Sequence, residues 1–90
     1  MHRFVIERDL PGAGKMDASQ LRDVANKSCD VLKRMGPSIQ WVRSYVTDDK
    51  IYCVYLAENA EQIKRHAQAG NFPANRISQV RNVIDPTTAD

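Results

Sequence analysis

The sequence predicts an α+β, ferredoxin-like fold: a four-stranded antiparallel sheet with two helices packed on one of its faces. Three observations carry this expectation. Extended and helical patterns alternate in the order β-α-β-β-α-β. The two central extended runs are separated only by Asp48-Asp49, which makes them a hairpin. The chain has 90 residues and a mass of 10.2 kDa, enough for one domain spanning residues 1–90 and no more.

Phe4, Val5 and Ile6 open a β-rich run that stops at the loop Leu10-Pro11-Gly12-Ala13-Gly14. Asp17 then stands three residues before Gln20, a capping box with Asp in place of Ser or Thr. Leu21, Val24, Ala25, Ser28, Val31, Leu32 and Met35 follow at helical spacing, and Gly36-Pro37 ends the first helix. Ile39–Thr47 and Lys50–Glu58 are rich in Val, Ile, Tyr and Trp and form the hairpin. Asn59 with Gln62 offers a second helix start, carried on by Ala60, Ile63 and Ala67 and closed by Gly70-Asn71-Phe72-Pro73. Ile77–Ile84 is expected as the last strand, stopped by Asp85-Pro86.

Regular pairing about Asp48-Asp49 sets Trp41, Arg43, Tyr45, Tyr52, Val54 and Leu56 on one sheet face. Val42, Ser44, Val46, Ile51, Cys53 and Tyr55 fall on the other. Both faces are largely apolar, whereas two helices cover only one. Leaving Trp41, Tyr45, Tyr52 and Leu56 in water would expose an interface-sized patch, so a homodimer packed sheet against sheet is expected.

Thirteen Lys and Arg against eleven Asp and Glu leave a net charge of +2, which selects no polyanionic partner. Lys50-Ile51-Tyr52-Cys53-Val54-Tyr55 lacks the glycine of an RNA-recognition strand, and Tyr52 and Tyr55 point to opposite faces. No nucleic-acid partner is expected. Gly14-Lys15 is followed by Met16, so the first loop does not match a phosphate-binding pattern. No run approaches a membrane span and no export signal follows the charged start, so a cytoplasmic protein without membrane contact is expected. Cys29 and Cys53 form no CxxC pair and suggest neither a zinc site nor a disulfide framework.

Trp41-Val42-Arg43-Ser44-Tyr45-Val46-Thr47-Asp48-Asp49-Lys50 and Tyr52-Cys53-Val54-Tyr55 resemble a small bacterial domain-of-unknown-function family. So do Phe4-Val5-Ile6-Glu7-Arg8, the stretch from His66-Ala67 to Phe72-Pro73, and Val83-Ile84-Asp85-Pro86-Thr87. The resemblance runs from Phe4 to Thr88 and implies a dimeric ferredoxin-like (α+β barrel) fold. Some members of that family are described as nickel-binding, so the resemblance also implies a divalent metal such as nickel, with His66 and Glu7 as the candidate ligands in this chain. The residues by themselves imply no cofactor.

Glu7, Tyr45, Tyr55 and His66 are the candidate polar contacts for a small ligand in a cleft between sheet and helices. His66 lies about 60–80° from the centre of the second helix's apolar stripe, which places it at the rim of the helix–sheet interface, with a pKa in the range useful for proton transfer. Glu7 shares a face of the first strand with Val5, and an ion pair with Arg8, Arg43 or Arg81 is expected for it. Cys53, mid-strand, reads as a small buried hydrophobe. A small-ligand-binding protein is the leading expectation. A divalent-metal protein is the alternative, and a cofactor-independent isomerase or monooxygenase follows only from fold-level analogy.

Overall fold

A computed structural model describes residues 1–90. Strand β1 (His2–Asp9) leads through a short 3-10 turn (Ala13–Lys15) into helix α1 (Ala18–Met35). Strands β2 (Ile39–Val46) and β3 (Lys50–Ala57) form the hairpin, followed by helix α2 (Ala60–Ala69), strand β4 (Arg76–Gln79) and a terminal 3-10 turn (Pro86–Ala89). The sheet order is β2-β3-β1-β4 and every pairing is antiparallel. This is the ferredoxin-like α+β arrangement that the element order predicts.

Both helices begin where their capping residues stand. The Asp17 carboxylate accepts from the Gln20 N–H at 2.8 Å while the Gln20 side chain accepts from the Asp17 N–H at 3.0 Å. The Asn59 side chain accepts from the Gln62 N–H at 3.1 Å. Each cap satisfies donors that the first helical turn leaves free.

The core lies between the helices and one sheet face, where Phe4, Ile6, Ile39, Ile51, Cys53, Tyr55 and Ala57 meet Ile63 of α2. Alternation along β1 puts Phe4, Ile6 and Arg8 on this inner face and Val5 and Glu7 on the outer one.

Two sequence expectations are corrected here. β2 and β3 pair regularly from Val46–Ile51 to Arg43–Val54, but the register then slips at a bulge between Trp41 and Arg43. Trp41 therefore pairs with Tyr55 and lies on the inner, helix-covered face rather than on the outer one. A bulge adds one residue to one strand, and with a side-chain period of two that reverses every residue beyond it. The last strand also ends at Gln79 rather than Ile84. β1 begins at His2, and Phe4 already pairs with Gln79, so positions past Arg81 have no strand residue opposite them. Val83 and Ile84 stand 69% and 79% exposed.

Candidate functional site

A cavity of about 440 Å³ opens between α1 and the inner face of the sheet. Its walls are mostly apolar, with Leu21, Val24 and Ala25 from α1 facing Trp41, Val46 and Ile51 from the hairpin. That volume falls within the usual small-molecule range of about 300–1,000 Å³. Trp41 reaches this wall only because of the bulge.

The polar groups converge at the inner end. Ser28 of α1 is buried and shares hydrogen bonds of 3.1 Å with both the Tyr55 hydroxyl and the His66 Nε2. The rings form a ladder: Trp41 stacks over Tyr55 at 6.5 Å, Tyr55 tilts on His66 at 5.0 Å, and His66 stacks on Phe72 at 5.4 Å. Beside it, the Trp41 Nε1–H donates to the Ser44 hydroxyl at 2.9 Å, which donates to the Cys53 Sγ at 2.9 Å. Arg8 Nε donates to the same sulfur at 3.4 Å, and its Nη1 donates to the Pro73 carbonyl at 2.6 Å.

His66 is not at a rim. It is 1% exposed, and it follows Ile63 by three positions on the face of α2 that meets the core. Burial, reinforced by the nearby Arg8 charge, lowers its pKa from 6.5 to about 4, so the ring is neutral near pH 7 and outside the range expected for acid–base work. Its Nδ1 is buried without a hydrogen-bond partner. Burial likewise raises the Tyr55 hydroxyl above its ordinary value, against the opposing hydrogen bond from Ser28.

The four candidate residues do not converge. Tyr55 and His66 stand together at the cavity's inner end, with Tyr55 in its lining. Glu7 and Tyr45 lie on the outer face, where Glu7 pairs with Tyr52 across β3 and Tyr45 with Tyr52 across β2. The ion partners of Glu7 are Lys50 at 3.8 Å and Arg76 at 3.9 Å, not the arginines expected. Arg8 and Ser28 enter the site instead. For Arg8 a signal existed, because the alternation Phe4–Ile6–Arg8 turns it inward with the core.

The donor set for a metal does not fit. Glu7 and His66 are separated by the sheet, and no cluster of three or more His, Cys, Asp or Glu side chains forms within the chain. One ring nitrogen of His66 is engaged by Ser28 and the ring is enclosed by Tyr55 and Phe72, whereas nickel favours several nitrogen or other converging donors. No helix is long and apolar enough to cross a membrane.

The model of a family described as "Nickel responsive protein SCO4226-like" matches residues 4–80. The fold superimposes on the crystal structure of SCO4226 from Streptomyces coelicolor A3(2) with a TM-score of 0.76, covering 91% of this chain and 99% of that one at 18% identity. Leucine–tRNA ligases of Methanococcus maripaludis strains C5 and C7 are 27% identical over 63 residues, 68% of this chain. The chain spans about 7% of the length of these curated relatives.

Proposed function

Because the chain belongs to the nickel responsive, SCO4226-like family and yet brings no nickel-donor set together by itself, we propose that it is a small-ligand-binding protein whose site is the cavity between α1 and the sheet. The observation that carries this reading is the cavity itself: about 440 Å³ of space lined mostly by apolar side chains, with hydroxyls and a guanidinium at its inner end. Domains of this size seldom keep so large an opening in a thin core, because unfilled space costs stability. A thermal-shift series with naphthalene-sized probes tests it. Such probes raise the Tm of the wild-type chain, and Ala25→Phe, which fills the cavity from α1, removes the shift. Equal shifts in both proteins, or none in either, would refute the reading.

Family membership favours nickel binding as a second reading. Metal analysis of tag-free protein decides it: stoichiometric nickel that disappears in His66→Ala would displace the ligand-binding reading. The outer sheet face supports a homodimer, with Val5, Tyr52, Val54 and Leu56 half-buried and Tyr45 55% exposed, all without a covering helix. Two free cysteines, Cys29 and Cys53, suit the reducing cytoplasm in which we place the protein.

A further inference from the structure

The apolar walls of the cavity do not account for one of its groups, the charge on Arg8. This residue is 4% exposed. A guanidinium taken out of water carries a penalty of several kcal/mol unless an opposite charge offsets it. None does here. The ion pairs of the chain join Lys50, Lys64 and Arg76 to Glu7, Asp9 and Glu61, and no carboxylate lies within 4.0 Å of Arg8.

Its partners are all neutral. Nε is taken by the Cys53 sulfur, Nη1 by the Pro73 carbonyl, and the Phe72 ring lies 5.3 Å from the guanidinium carbon. Nη2 makes no hydrogen bond within 3.5 Å, and the Tyr55 hydroxyl, which the guanidinium pulls toward lower pKa against burial, is a neutral neighbour too. A second cation of the lining, Lys27, stands 4.9 Å over the same Phe72 ring. The lining contains no Asp or Glu. Two positive groups and no negative one, set in low-dielectric walls, focus a positive potential into the chamber.

We propose that the cavity binds a small carboxylate with an apolar body, the carboxylate on Nη2 of Arg8 and the body between Leu21, Val24, Ala25 and Trp41. This deepens the ligand-binding reading and rests on it. Nη2 still carries two N–H donors, enough to hold one carboxylate group by charge-assisted hydrogen bonds. A phosphate dianion demands more donors than one unoccupied guanidinium nitrogen supplies, and so the monoanion is the better fit. The ligand supplies the counter-charge that the folded chain leaves out, which makes Arg8 a recognition group.

The test compares 2-naphthoate with 2-naphthalenemethanol, which share a body and differ in charge, by titration calorimetry on the full chain. Wild type binds the carboxylate more tightly by about tenfold or more, the size of effect expected from a charge-assisted hydrogen bond. Arg8→Met abolishes the preference while still binding the alcohol, and Lys27→Met keeps most of it. In ¹⁵N spectra of wild type, which do not depend on how the variants fold, the Arg8 Nε–H signal moves with naphthoate and stays with the alcohol. Equal binding of both probes by wild type overturns the proposal but leaves the ligand-binding reading standing. Binding of neither overturns both. A preference that survives Arg8→Met and vanishes in Lys27→Met places the anion at the surface and overturns the assignment to Arg8.

Discussion

Acid should destabilise this protein through His66, and the size of the effect follows from where the ring sits. The folded chain holds His66 neutral, with a pKa of about 4 against 6.5 for an unburied histidine. Because the folded value is the lower one, the unfolded chain takes up the proton first, so stability is whole above pH 6.5 and declines as the pH falls towards 4. At about 1.4 kcal/mol per decade, that gap amounts to roughly 3 kcal/mol in all, with roughly 2 kcal/mol already lost by about pH 5. For a domain whose total stability is on the order of 5–15 kcal/mol, that is a large fraction. Urea unfolding followed by Trp41 fluorescence at about pH 7 and about pH 5, in wild type and His66→Phe, isolates it. The variant keeps a ring between Tyr55 and Phe72, and its loss of the Ser28 hydrogen bond is the same at both pH values. Carboxylates titrate alike in both proteins, so wild type should lose roughly 2 kcal/mol more than the variant between the two conditions. Parallel decline of the two proteins would show that His66 is not the acid-sensitive group.

Ser28→Ala strips one buried partner from both Tyr55 and His66, and should cost about 2 kcal/mol or more in urea unfolding; a loss within error of zero would show that water replaces the hydroxyl. Gly14→Ala sets a methyl 2.9 Å from the Asp48 Cα and 3.2 Å from the Thr47 carbonyl, backbone atoms that yield little, so a loss of about 1–3 kcal/mol is expected from the same assay. At Gly70 an added methyl runs into the Phe72 ring, which must swing away from Arg8 and Lys27; naphthoate affinity in Gly70→Ala should drop while the fold survives, as circular dichroism would record. Leu56→Asp on the outer face should convert a dimer to monomer in sedimentation, and an unchanged sedimentation coefficient would count against pairing through that face.

The element order and both helix starts were legible because each is a local signal. Asp17 with Gln20 and Asn59 with Gln62 act within four residues, and the hydrogen bonds are found there. The cavity was legible only in outline. Spacing indicates that α1 and the sheet face each other but not how closely their side chains fill the gap. The bulge was hidden, since one extra residue in Ile39–Val46 leaves composition and turn untouched while changing which side Trp41 occupies. Helical spacing sets His66 off the centre of the Ala60, Ile63 and Ala67 stripe, a rim position for a polar ring, whereas the fold buries Ile63, His66 and Ala67 together. The charge of Arg8 suggests an ion partner for Glu7, whereas period-two alternation aligns it with Phe4 and Ile6 on the buried face.

The irregularity in β2 makes chain length, rather than residue type, the control on the chamber's roof. Even pairing at the present chain length would roll the segment before Arg43 by half a turn, so that Ile39 and Trp41 faced away from α1 while Gln40 came underneath it. Loss of the Val42 codon would instead leave Trp41 opposite Tyr55 and Ile39 opposite Ala57, so the extra residue is what lets a strand of this length keep both side chains under α1.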